Sequence, residues 1–283
     1  MIRSSEFFLL LNKTMNPFQI ILIQPLTNGL ILFYKVLGSN MGFAIIGFSL
    51  VLRLVLNPLT KPYMNSMKKM KEVEPLLTKL KKKYKNDKQG MMKAQSELYK
   101  QKGINPGAGC LPYILQIVVL IALFNVFNQV LSSNGDTISK INELLYEPLR
   151  FVGETTLNTK FLYLNVTKPD TFAIPGVGFP IPGPILILAG LVQFLSAKMN
   201  MKVVEQEKKI AKKTVGGADD MAASMQSSMI YTFPAMTILF GIRFPSGLAL
   251  YWLLFSIFQM WQQYNSIGWG GLAPWVNKLR RLS

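Results

Sequence analysis

Apolar runs alternate with lysine-rich intervals along this chain. Five runs, residues 41–60, 111–131, 181–197, 229–242 and 246–263, contain no Asp or Glu. They have, or approach, the roughly 20 residues a helix needs to cross the hydrocarbon of a bilayer. The fourth is short, and only RFPS separates it from the fifth, which predicts a tight hairpin turning at Pro245 and Gly247. Residues 17–33 are apolar but broken by Gln19, Gln24, Pro25, Thr27, Asn28 and Gly29. That pattern predicts an interfacial helix within an N-terminal segment, residues 1–40. The apolar run at residues 7–11 is short for a signal-peptide core, and no small-residue cleavage site follows it clearly.

The interval between the first two runs has its own period. Met64, Met67, Met70, Val73, Leu77, Leu80 and Tyr84 recur every three or four residues, the stripe of an amphipathic helix with lysines on its other faces. KNDKQG supplies a turn, and a second helix from about residue 91 to 101 stops at Gly103, with Pro106 beyond. Residues 61–104 thus predict a basic helical hairpin. Its stripe either holds the two helices together or meets lipid headgroups or an incoming apolar chain, which methionine's flexible side chain suits.

Charge then orients the runs. Half of the 283 residues are hydrophobic and the net charge is +17; a basic, apolar chain of this kind carries its charges in the loops of a membrane protein. Residues 61–104 hold thirteen lysines against Glu72, Glu74, Asp87 and Glu97. The loop 198–228 adds Lys198, Lys202, Lys208, Lys209, Lys212 and Lys213, and the tail 264–283 adds Lys278, Arg280 and Arg281. In the connection 132–183, four basic residues face five acidic ones. The positive-inside rule places both lysine-rich loops and the tail in the cytoplasm, with the N-terminus and 132–183 outside. Trp269 and Trp275 fit interfacial anchors. The basic tail either contacts RNA phosphates or enforces topology.

Reactive chemistry is scarce. There is no histidine and a single cysteine, Cys110, so the commonest general base is missing and no intramolecular disulfide framework exists. GFAIIGFS at residues 42–49 has phosphate-loop glycine spacing, but Phe48 stands where lysine is required. No paired carboxylates or metal-ligand sets stand out. The expectation is a protein that is not an enzyme and uses no metal or cofactor.

One residue breaks the apolar pattern. Arg53 lies inside the first run, about 10 Å from its inner end at 1.5 Å per residue, with Asn57 and Pro58 one turn further. It has two fates open to it. It snorkels to the inner headgroups, or it faces a wet cavity lined by polar groups of other runs. Candidate lining residues are Gln116, Asn125, Gln193, Ser196, Thr232 and Gln259. Tyr251 and Trp252 either touch a substrate or pack helices.

RLVLNPLTKPYMNSMKKMKEVEPLLTKLKKKYKNDKQ, ELYKQKGINPGAGCLPYILQ and FPSGLALYW together closely resemble the YidC/Oxa/Albino family of membrane protein insertases. The likeness runs from about residue 40 to 263, and YLNVTKPD resembles the family's segment before its third conserved span. The resemblance implies an all-α integral membrane protein: a five-span bundle around a hydrophilic groove open to the cytoplasm, with a cytoplasmic basic hairpin. The family's groove arginine falls on Arg53. Its GCLP motif falls on residues 109–112, which makes Cys110 structural. The hairpin stripe, Met64, Met67, Met70, Leu77 and Leu80, becomes the surface that captures substrate.

The implied function is an insertase and chaperone that moves hydrophobic segments and short polar tails from the cytoplasm into the bilayer without nucleotide hydrolysis. The alternative is a channel or transporter for a small anionic solute that uses the Arg53 cavity. Implied partners are nascent membrane proteins and the lipid bilayer, with the ribosome, through the basic loops and tail, and the Sec translocon left open. A lipobox cysteine and a large outer domain are not found, which points to a minimal form in a bacterial inner membrane, ahead of an organellar one. Two departures are a long outer connection and Arg243 where an apolar residue is common.

Overall fold

The computed structural model of the chain describes residues 17–84, 87–105, 111–131, 137–153, 155–176, 178–199 and 218–281. The apolar run at 7–11, Cys110 with Gly109, and most of the second basic loop lie outside the described residues. Helix α1 (Gln24–Val36) follows a π-helical turn at Gln19–Ile23, and a short turn leads into α2 (Met41–Glu72). α2 has 32 residues, about 48 Å at 1.5 Å per residue. It therefore outruns a hydrocarbon core of about 30 Å. Pro58 and Pro62 lie inside it. Each removes a backbone donor, and in that loosened turn the Thr60 hydroxyl donates to the Asn57 carbonyl at 2.9 Å. The first arm of the basic hairpin is thus a continuation of α2, followed by α3 (Glu74–Lys83) and α4 (Lys88–Gln101).

Helix α5 (Leu111–Leu131) and α6 (Thr137–Leu144) precede an irregular connection with two small antiparallel ladders. In these, β1 (Lys160–Phe161) pairs with β2 (Leu164–Asn165), and β3 (Thr171–Phe172) with β4 (Ile181–Pro182). Then come α7 (Pro184–Met199), α8 (Ala218–Gly241), α9 (Ser246–Ile267) and α10 (Ala273–Arg280). Helix α8 begins well before the apolar run at 229. Among the described residues, Gln19–Val36 and Met41–Glu72 have the length and apolarity to cross a membrane, and Ile114–Asn128, Pro184–Met199 and Ile230–Gly241 are shorter apolar helices. The N-terminal helix, expected at the interface, packs closely on α2. A Cβ at Gly29 would come within 2.6 Å of the Phe48 ring, and one at Gly47 within 2.7 Å of Phe33 and Leu37.

Helix α9 is the hub, packed most extensively on α7 and then on α2. The connection between α6 and α7 holds the starts of all three. The Met41 amide donates to the Asn158 carbonyl (2.9 Å), Ser246 to Lys168 (2.7 Å) and Gly247 to Val166 (3.0 Å). Asp170, 2% exposed, accepts from the Leu186 amide at 2.9 Å and from the Tyr163 hydroxyl at 3.1 Å. Burial lifts the Tyr163 phenol above its ordinary pKa, so it stays a donor. First-turn amides of a helix have no partner in their own helix, and here one connection satisfies them for α7 and α9. The helices α2, α7 and α9 consequently start on one side and run in parallel.

Two apolar cores result. The larger joins α1, α2, α5, α6, the outer connection and the first half of α9. The smaller joins Tyr63, Met67, Met70, Val73, Leu77, Tyr99 and Ile104 to Met199, Ile267 and Leu272 at the opposite ends of α7 and α9.

Candidate functional site

Arg53 sits between the two cores, on the face of α2 that meets α9, and only 8% of it is exposed. Its Nη2 donates to Gln262 Oε1 at 2.9 Å, and Gln262 Nε2 donates to Asn57 Oδ1 at 2.6 Å. Asn57 lies one turn beyond Arg53 on α2, so the three form a closed relay across the α2–α9 contact. The guanidinium carbon stands 4.4 Å from the centre of the Phe255 ring and 5.2 Å from that of Phe258. A cation over aromatic faces gains roughly 0.5–2 kcal/mol, most when desolvated. No carboxylate pairs with Arg53 among the described residues. Among these residues its charge is held by neutral dipoles and rings.

Further polar groups continue the line. The Tyr251 hydroxyl donates to Gln116 Oε1 at 3.4 Å, joining α9 to α5. The Ser196 hydroxyl donates to Gln263 Oε1 at 2.7 Å, joining α7 to α9. Four buried side-chain atoms have no partner among the described residues: Arg53 Nε, Gln116 Nε2, Gln193 Oε1 and Gln263 Nε2. Buried polar atoms are usually satisfied, so each of these four is available to water or a polar chain. Beside Arg53, Ser49, Leu56, Tyr251, Phe255 and Phe258 are among the residues enclosing a cavity of about 20 Å³, room for about one water. Beside Arg53 itself the packing is therefore close.

The structure thus brings Arg53, Gln116 and Tyr251 to one side of α9 and Ser196 to another. It leaves others apart. Thr232 is exposed and bonds the Ser228 carbonyl of its own helix; Asn125 likewise bonds Ile121. Gln193 and Gln259 are half-buried. Trp252 is buried in the larger core, 6.3 Å from the Phe244 ring. Of the hairpin stripe, Met67, Met70 and Leu77 are covered by the smaller core, while Met64 and Leu80 are half-buried. Sequence reasoning missed Gln262, Gln263, Phe255 and Phe258. The adjacent Gln262 and Gln263 at the end of an apolar run, one turn past Gln259, were the available signal.

The family model described as 60Kd inner membrane protein matches residues 32–267, which takes in both partners of the relay. The chain belongs to that family. Curated relatives named "Membrane protein insertase YidC" are similar to it. The protein of Pelobacter propionicus is 31% identical over 244 residues, 86% of this chain and 38% of its own length. That of Fusobacterium nucleatum subsp. nucleatum is 32% identical over 226 residues, 80% of this chain and 85% of its own length. That of Syntrophobacter fumaroxidans is 31% identical over 261 residues, 90% of this chain and 37% of its own length. The chain therefore spans well under half of two of these relatives and most of the third. As a member of the 60Kd inner membrane protein family, it is an α-helical membrane protein. For such a protein a buried, unneutralised guanidinium is costly: an arginine at a helix centre is disfavoured by about 2.5–3.5 kcal/mol on insertion scales.

Proposed function

We propose that this chain is a membrane protein insertase, as its relatives are named, and that it acts as a chaperone without enzymatic chemistry. The observation that carries the proposal is the Arg53 site. A positive charge lies buried in the middle of a helix long enough to span, held only by uncharged partners, with orphaned amide groups close by. Intramembrane charges with no structural counter-ion mark functional positions.

The energetics suit such a role. A substrate segment gains roughly 0.3–0.6 kcal/mol per central Leu, Ile, Phe or Val on entering the bilayer, so about 20 apolar residues supply the driving force without fuel. The barrier is the polar tail, which must lose water on the way across. A polar seam shortens that dry path, and Arg53 attracts an acidic tail most strongly where the dielectric is low. The cavity beside Arg53 holds about one water, so in this reading a chain passes beside Arg53 by parting α2 from α9. The relay from Arg53 to Gln262 and Asn57 is then the latch that opens, and the orphaned Gln116 group receives the tail.

In this reading five spans, the first part of α2 (residues 41–60) together with α5, α7, α8 and α9, form the bundle, with the N-terminal side outside and the C-terminal side in the cytoplasm. The common start of α2, α7 and α9 at the acid-balanced outer connection supports that arrangement. Nascent membrane proteins are the substrates, and the hairpin contributes the exposed lysine faces of α3 and α4 rather than the covered methionines. Insertion of single-span substrates whose tails differ only in charge, assayed in proteoliposomes, tests the proposal. Insertion that needs neither the chain nor Arg53 would refute it.

A further inference from the structure

The chain after α9 is built to lie flat at one level. It leaves α9 at Gly268, passes through a 3₁₀ turn at Gly270–Leu272 and continues as α10. Two contacts set its height. A Cβ on Gly270 would stand 2.0 Å from the Met199 carbonyl oxygen, so the turn is pressed on the last residue of α7. The Lys198 ammonium lies 3.2 Å from the centre of the Trp275 ring, a close cation–π contact. Helix α10 therefore sits where α7 ends, on the side opposite the outer connection. Leu272, just before it, is buried in the smaller core.

The outward face of α10 is amphipathic. Trp275 and Leu279 are one turn apart, on the same face, and are 50% and 68% exposed. Lys278, Arg280 and Arg281 are exposed around them. An RNA backbone would match the charges but leave the indole and the leucine in water. A lipid boundary covers both kinds of group, because indoles and leucines enter the acyl edge while basic side chains reach headgroup phosphates.

We propose that α10 is an interfacial anchor for anionic phospholipids of the cytoplasmic leaflet. Trp275 and Leu279 dip into the acyl boundary, and Lys278, Arg280 and Arg281 rest on headgroup phosphates. Lys198 fixes the ring that dips. The anchor rests on the membrane reading above and adds a lipid requirement to it: α10 holds the end of α9 that carries Gln262 and Gln263.

The test uses the full chain with Cys110→Ser and Leu279→Cys, a nitroxide standing in for the leucine. It is reconstituted in phosphatidylcholine vesicles with and without phosphatidylglycerol. A second label at Val55, 63% exposed on α2, is the control. Collision with oxygen against a water-soluble nickel complex reports immersion. The label at 279 is expected to enter lipid when phosphatidylglycerol is present. Each of Lys278→Gln, Arg280→Gln and Arg281→Gln is expected to lower the docked-to-undocked ratio about fivefold. A water-exposed label at 279 in both vesicles, with the label at 55 in lipid, overturns the anchor and leaves the insertase reading standing. Protection that appears only on adding ribosomes also overturns it, in favour of an RNA contact. If the label at 55 is water-exposed as well, the membrane reading falls with it.

Discussion

Replacing Arg53 by alanine removes a buried charge that rests on one glutamine and two phenyl rings. The consequence for transport follows from Coulomb's law. At about 6 Å and an effective dielectric near 20, an acidic residue of a substrate tail is attracted by about 3 kcal/mol. Realised at the barrier, that is about a hundredfold in rate. A neutral tail lacks this attraction and loses only the hydration that the guanidinium organises. Arg53→Ala should therefore slow insertion of an acidic-tailed substrate about a hundredfold and of its neutral twin far less. Arg53→Lys separates charge from shape. It keeps the field, so the preference for acidic tails should survive. It loses the planar stack on Phe255 and the bond from Nη2, so the protein should unfold at a lower temperature. The assay is protease protection of inserted tails in proteoliposomes, normalised to folded protein. Equal losses for acidic and neutral substrates in Arg53→Ala, or loss of the preference in Arg53→Lys, would refute the electrostatic argument.

Gln262→Leu leaves Arg53 Nη2 and Asn57 Oδ1 without their partner and should cost about 1.5–3 kcal/mol, the worth of a hydrogen bond to a charged group, read from thermal unfolding in detergent. A short bis-maleimide joining cysteines at Leu56 and Phe258, which enclose the same cavity, should block insertion if α2 and α9 must part, and reduction of a cleavable linker should restore it; undiminished insertion would sink the latch. Tyr163→Phe removes the hydroxyl that bonds Asp170 and receives the Ile185 amide, at a cost of about 1 kcal/mol, visible as faster amide exchange at the start of α7. Met70→Ala opens the smaller core and should weaken the docking of the basic hairpin by about 2 kcal/mol, seen as faster proteolysis within residues 61–104 while the spans stay resistant.

What the sequence determined by itself was local. Apolar runs specified where the helices stand, a three-and-four-residue stripe specified helical segments, and a lone arginine in an uncharged run marked a residue that the structure buries. Even locally there were limits: Pro58 and Pro62 did not end α2, which runs through both to Glu72. Tertiary structure decided everything that depends on how each helix is rotated about its axis. Gln262 meets Arg53 from 209 residues away, Thr232 turns outward, and the methionine stripe is covered by Met199, Ile267 and Leu272. It also decided that one connection would cap α7 and α9 together. Periodicity tells which residues share a face of one helix. Which neighbour that face meets, and whether a polar side chain finds a partner there, is set by the packing of the whole bundle, which no single segment encodes.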